Sequence, residues 1–168
     1  MILTGFQLRA AKISLNLDYN TLCNYSGVSR VTLGRLINTT DNFEEIKCSA
    51  QDAYKLYTCF CEMNLNFPNN YTISKNYKIE QKPTSNNLTK FQFIVARAAL
   101  HLSQRDLATH ITGVTRNLFQ KFENKEDHSY FMSKKISAKD IVLFFTEKGI
   151  AFPNNKSVQI IKKETKII

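Results

Sequence analysis

The sequence predicts a mainly α fold in which one small helical bundle ending in a β-hairpin is written twice. Three observations lead there. The two halves match in register about 85 residues apart, and apolar residues recur at helical spacing behind capping residues in each. Each half also closes on two short apolar runs separated by Pro-Asn-Asn. The chain has 168 residues and is 43% hydrophobic, enough to bury one ordinary core or two small ones; the repeat favours two.

The register is carried by pairs such as Leu3/Leu88, Thr4/Thr89, Phe6/Phe91, Gln7/Gln92, Ala11/Ala96 and Leu22/Leu107. It slips by one residue at Gly27/Gly113, Val28/Val114, Arg30/Arg116 and Asn38/Asn124. It returns at Phe67-Pro68-Asn69-Asn70 against Phe152-Pro153-Asn154-Asn155. The second half therefore gains a residue in a turn and loses it later.

In chain order, Phe6, Ala10, Ile13 and Leu17, or Phe91, Val95, Ala98 and Leu102, make one apolar face of a first helix. Ser103 and Asp106 form a capping box for a short second helix ending near Thr112-Gly113; its counterpart runs from Asp18 to Ser26-Gly27. Ser29 and Thr115 are N-caps of a third helix that buries Leu33 and Leu36, or Phe119 and Phe122. Ser49 to Asp52 and Ser137 to Asp140 open a fourth helix. That helix stops at Asn64 or Gly149, residues that tolerate a left-handed cap.

Strands then follow at Leu65 to Phe67 and Tyr71 to Ile73, and at Ile150 to Phe152 and Ser157 to Ile161. Lys75 to Asn87 is polar and turn-rich and reads as a linker. The expected domains are residues 1–80 and 81–168. Isolated hairpins are marginal in water and leave open edges, so the two are expected to pair edge to edge into one sheet.

Charge is uneven. The net +9 arises from 8 Lys/Arg against 7 Asp/Glu in residues 1–80, and 15 against 7 in residues 81–168. Such a surplus favours a polyanionic partner, and it sits in the second half. No apolar run approaches the roughly 20 residues of a membrane span, and the start of the sequence lacks a basic leader before an apolar stretch. A cytoplasmic, nucleoid-associated protein is expected, with no membrane association. Cys23, Cys48, Cys59 and Cys61 lie in the first half and His101, His110 and His128 in the second, without zinc spacing, so reduced thiols and no metal are expected. No glycine-rich phosphate loop or acid/base motif is present, so no catalytic residue and no cofactor are assigned, and an enzyme is not expected.

Leu102-Ser103-Gln104-Arg105-Asp106-Leu107-Ala108 followed by Gly113-Val114-Thr115-Arg116-Asn117-Leu118-Phe119-Gln120-Lys121-Phe122-Glu123-Asn124 resembles the phage-repressor-like, or xenobiotic-response-element, helix-turn-helix family. The first half resembles it through Leu22-Cys23 and Gly27 to Leu36. The resemblance implies two tandem repressor-like helix-turn-helix domains and double-stranded DNA as the partner. The third helix of each would lie in the major groove. Exposed positions on that helix are then the candidates: Arg116, Asn117, Gln120 and Lys121 in the second unit, and Arg30, Val31, Thr32 and Arg35 in the first.

Asn and Gln pair with adenine and Arg with guanine, whereas Val31 and Thr32 reach only thymine methyls or make single hydrogen bonds. The first unit has the poorer set, and Gly34 inside its third helix costs about 1 kcal/mol relative to alanine. The resemblance gives Gln104 a phosphate contact or a bracing role; Tyr19 stands there in the first unit. Ser29 and Thr115 read equally as caps or as phosphate donors. Arg97, Arg105 and Lys125 are expected phosphate contacts, with Lys156, Lys162, Lys163 and Lys166 a basic tail. His110 reads as a surface residue, and Phe119, Phe122, Phe131, Phe144 and Phe145 as core. The alternative is that one or both units serve as a protein-interaction or dimerisation module, antitoxin-like, without DNA binding. Homodimerisation through the hairpin strands is left open.

Overall fold

The computed structural model describes residues 2–77 and 87–162. The expected linker falls mostly on residues 78–86, and Lys163 and Lys166 lie beyond residue 162, so both expectations are outside the described residues. The fold is mainly helical with a small four-stranded antiparallel sheet. The first half holds α1 (Gly5–Ser14), α2 (Tyr19–Ser26), α3 (Arg30–Thr39), α4 (Ala50–Glu62), β1 (Leu65–Asn69) and β2 (Thr72–Lys75). The second holds α5 (Lys90–Ala99), α6 (Gln104–His110), α7 (Arg116–Glu123), α8 (Ala138–Glu147), β3 (Ile150–Ala151) and β4 (Ser157–Ile160).

Local chemistry sets the helix ends. Ser103 and Ser137 make full capping boxes with Asp106 and Asp140, while Ser49 accepts from the Asp52 N–H without the reciprocal bond. Positive φ falls where glycine or asparagine was expected, at Gly27, Gly113, Asn64 and Gly149, and also at Asn16 and His101, another pair of matching positions. Asn69 and Asn154 make the hairpin turns by accepting from the N–H two residues on, at 2.9 and 3.0 Å. The fourth helix has 13 residues in the first half and 10 in the second. The residues missing from α8 appear instead in the loop before it, around Lys134.

Each half carries one further tie that the sequence reading passed over. Thr4 with Gln7, and Thr89 with Gln92, are buried capping boxes. The Gln7 amide also donates to the Asn69 and Thr72 carbonyls at 2.6 and 3.0 Å. Gln92 does the same to Asn154 and Ser157 at 2.6 and 3.3 Å. One side chain thus fixes the start of the first helix to the hairpin turn and satisfies carbonyls that burial would otherwise strand.

The hairpins do pair edge to edge, in the order β1-β2-β4-β3. Ile73 faces Val158, Thr72 faces Gln159 and Ser74 faces Ser157. Because Ile73 and Val158 are equivalent positions, this register maps onto itself when the halves are exchanged. The outer edges are guarded: β1 carries Pro68 and a register shift between Asn66 and Asn69, and β3 has two residues.

The expectation of two small cores is corrected. Buried residues of both halves form one continuous cluster, because α1 and α5 pack on each other. This also corrects the one-faced reading of the first helix. Leu8, Ala11, Phe93 and Ala96 are buried too, whereas Ile13 is 37% exposed and Leu17 lies beyond the helix. Polar ties cross the same junction. The Asn42 amide donates to the Ala99 carbonyl at 2.8 Å, and the Tyr77 hydroxyl to the Asn155 carbonyl at 3.0 Å. Burial pushes the Tyr77 hydroxyl up to about 12.

Asp127 is clasped by Lys75 from β2 and by Lys90 at 2.9 Å. Burial pushes its carboxyl up, but the hydrogen bonds and charges of the two lysines outweigh this and hold it below the usual range. A carboxylate with a depressed folded pKa stabilises the fold above its unfolded value of about 3.9, and that contribution disappears as pH falls through the folded value. Asp127→Asn is therefore expected to lower the urea midpoint near pH 7 and to flatten its decline below about pH 4. Parallel acid limbs for wild type and variant would show that the clasp adds nothing.

Candidate nucleic-acid interface

The two third helices differ from their first turn. At α3, the Ser29 hydroxyl accepts from the Thr32 N–H at 3.1 Å and donates to the Thr32 hydroxyl at 2.9 Å, so it is a cap. At α7, Thr115 occupies the cap position but makes no side-chain capping bond, which corrects its reading as a capping hydroxyl. Its side chain is exposed.

In the second half, Arg116, Asn117, Gln120 and Lys121 are all exposed, and their side chains form no hydrogen bond or ion pair with a described residue. They share the face opposite Phe119 and Phe122, which are 0% and 3% exposed. Arg105, at the start of α6, is also exposed, as is Lys125. His110 is exposed and stacks on Phe144 with ring centroids 5.7 Å apart.

Arg97 is the residue the sequence reading misplaced. Its guanidinium grips Glu123 with two bonds of 2.9 and 3.0 Å and donates to the Leu102 carbonyl at 2.8 Å. Both side chains are 13% exposed, so Arg97 is spent inside the fold and is not a free phosphate contact. Of the two roles considered for Gln104, the structure holds the brace: its amide donates to Glu123 Oε2 at 2.8 Å. Glu123, at the C-terminal end of α7, thus gathers α5 and α6 onto the exposed helix. The sequence reading missed it, although its place beside Phe122 on the flank of the buried face was a signal.

The first half is built otherwise. Arg30 donates to Asn20 Oδ1 at 2.9 Å and Arg35 to the Lys47 carbonyl at 3.0 Å. Thr32 is half-buried, while Val31 is 84% exposed. Lys12, the counterpart of Arg97, lies over the ring of Tyr19 at 4.8 Å. Arg9 takes over the bracing of α3, donating to Ile37 and Thr40 carbonyls and to Asn42 at 2.6–2.9 Å. Burial lowers its pKa, and Asp41 partly offsets that. Helix α3 runs unbroken through Gly34.

Lys134 and Lys135 were also missed. With Ser133 they form one wall of an open groove whose other wall is Thr115, Asn117 and Lys121 of the α7 N-terminal region. The paired lysines are visible in the sequence, but only the shift of residues from α8 to its preceding loop places them there. The exposed surface around α7 is therefore cationic and rich in hydrogen-bond donors, whereas that of α3 is apolar at Val31 and internally bonded. Among the described residues no helix is long and apolar enough to cross a membrane, and no three or more His, Cys, Asp or Glu side chains gather where they could hold a metal.

Comparison of the chain with protein-family models, with curated proteins and with solved structures finds no match in any of the three.

Proposed function

We propose that this protein is a sequence-specific, double-stranded DNA-binding transcriptional regulator made of two tandem repressor-like helix-turn-helix units. The third helix of each unit enters the major groove, and the second unit dominates. The observation that carries this reading is α7: four exposed, unbonded side chains of base-reading type project from a helix buttressed by the Arg97–Glu123–Gln104 network. Lys134, Lys135 and Arg105 supply sequence-independent attraction to the backbone phosphates beside it.

Arg116→Ala and Gln120→Ala are each expected to cost about 1–3 kcal/mol of affinity for a selected duplex, measured by mobility shift with the full chain. Arg30→Ala and Arg35→Ala should cost less, because those side chains must first leave Asn20 and Lys47. Equal or larger losses from the first unit would overturn the ranking.

A second reading gives the first unit a protein-docking role, with DNA binding left to the second. It is favoured by the engaged Arg30, Thr32 and Arg35, by exposed Val31, and by Tyr25 at 65% exposure. Under that reading the Arg30 and Arg35 variants leave DNA affinity unchanged.

A further inference from the structure

We infer that the loop 132–135 is a second DNA-reading element: with α7 in the major groove, it crosses one backbone strand and places Lys134 and Lys135 in the adjacent minor groove, where they select A·T pairs. The inference rests on the DNA-binding reading above and deepens it. It starts from a difference between the halves. Thr4 bridges Glu45 and Thr89 bridges Tyr130, so the next residues, Ile46 and Phe131, are equivalent, and both are buried. Two residues then separate Ile46 from the Ser49 cap, whereas five separate Phe131 from the Ser137 cap.

The longer loop is held at its base and free at its tip. Phe131 and Ile136 are 6% and 9% exposed and anchor it, and the Ser133 hydroxyl accepts from the Lys135 N–H at 3.1 Å to turn it. Met132 and both lysines are exposed. Neither ammonium makes a hydrogen bond or ion pair with a described residue. Asp140, the next acidic residue along the chain, is spent on the Ser137 N–H and hydroxyl. Met132 adds an apolar contact of the kind that minor-groove proteins place beside their cations.

The loop's position supplies the rest. It forms one wall of an open groove of about 370 Å³, with Thr115, Asn117 and Lys121 across from it. Hydroxyls and lysines stand on both walls, groups that suit a sugar-phosphate strand. Helix α7 reads bases from the major-groove side of such a strand, so the loop on the far wall stands on its minor-groove side. That groove is only ~6 Å wide, which excludes a helix but admits lysine side chains. A·T pairs present only acceptors there, and G·C adds the guanine N2 amino donor. An ammonium has donors and no acceptor, so it bonds to A·T edges and is turned away by the amino group. A·T tracts also narrow the groove and strengthen its negative potential. Attraction to phosphates alone would give no such base preference. The first half has only the short connection, where the Lys47 carbonyl holds Arg35, so the preference belongs beside α7.

The test uses the full chain and a duplex obtained by selection, in which the segment read by α7 is the one where Arg116→Ala relaxes the preference. Base pairs on each flank of that segment are written in turn as A·T, as G·C or as inosine·C. Inosine keeps guanine's major-groove O6 and N7 and lacks the minor-groove amino group. On one flank, wild type is expected to bind the G·C duplex about tenfold more weakly than the A·T duplex, and inosine·C should restore most of that loss. The double variant Lys134→Ala, Lys135→Ala should bind all three duplexes more weakly and equally. Wild-type binding that ignores both flanks, or that treats inosine·C as G·C, overturns the loop's role and leaves the regulator reading standing. So does a double variant that keeps the wild-type preference. Absence of binding to any duplex overturns both.

Discussion

Phe93→Ala is expected to cost about 3–5 kcal/mol of unfolding free energy. Phe93 is 0% exposed and sits at the centre of an aromatic cluster, with ring centroids 4.9 Å from Phe119, 5.5 Å from Phe122 and 6.1 Å from Phe145. Truncation removes the transfer free energy of a ring and leaves a cavity that close-packed neighbours cannot collapse to fill. It also withdraws the floor beneath α7, since Phe119 and Phe122 are that helix's buried residues. The equivalent position in the first half is Leu8, also 0% exposed, so Phe93→Leu should cost less than Phe93→Ala. Because the core is one cluster, both halves should unfold together. Chemical denaturation followed at two probes, one per half, checks this; separate transitions would mean that α1 and α5 do not couple the halves.

Glu123→Ala is expected to destabilise by a similar amount, about 3–5 kcal/mol, for an electrostatic reason. The substitution strands the Arg97 guanidinium, which is 13% exposed, with only the Leu102 carbonyl as a remaining partner, and it takes the acceptor from Gln104. Removing one member of a buried pair leaves a desolvated charge, and that penalty exceeds what the pair adds when intact. Lys121→Ala, on the exposed face of the same helix, should fall within about ±0.5 kcal/mol and serves as the control. Replacing Arg97 and Glu123 together by apolar residues should recover much of the loss, because no unpaired charge is then buried. Urea midpoints of the four proteins decide it. A Glu123→Ala value no larger than the control's would mean that the network is solvent-screened and does not brace α7.

These two sites show where the sequence was legible. Helix starts at Ser29, Ser103 and Ser137, left-handed ends at Gly27, Asn64 and Gly149, and the Asn69 and Asn154 turns were readable because neighbouring atoms determine them. Hairpin pairing was readable because an unpaired strand edge has few alternatives.

What escaped depends on contacts distant in sequence. Helical periodicity finds one apolar face, and α1 and α5 bury more than one, so the single core could not be seen from either half. Arg97 carries the same charge whether it faces phosphate or Glu123, and its partner lies 26 residues away. Charge counting placed the surplus in the second half, but could not say that Lys134 and Lys135 stand beside α7 while Arg97 does not.

The pairing of β2 with β4 about equivalent residues Ile73 and Val158 gives the proposed regulator the form of a covalent pseudo-dimer with two unlike reading helices. In a symmetric dimer, identical helices read half-sites about one helical turn apart, roughly 34 Å, and require a palindrome. Unlike helices do not. The most direct measurement is therefore the selection of bound sequences from random duplexes with the intact chain, followed by the salt dependence of binding to the winning site. The expected result is an enriched, non-palindromic site with one strongly and one weakly specified half. Loss of a basic contact around α7 should then flatten the slope of log affinity against log salt by about one unit. No enrichment at all, or a simple palindrome read by α7 of two chains, would contradict it.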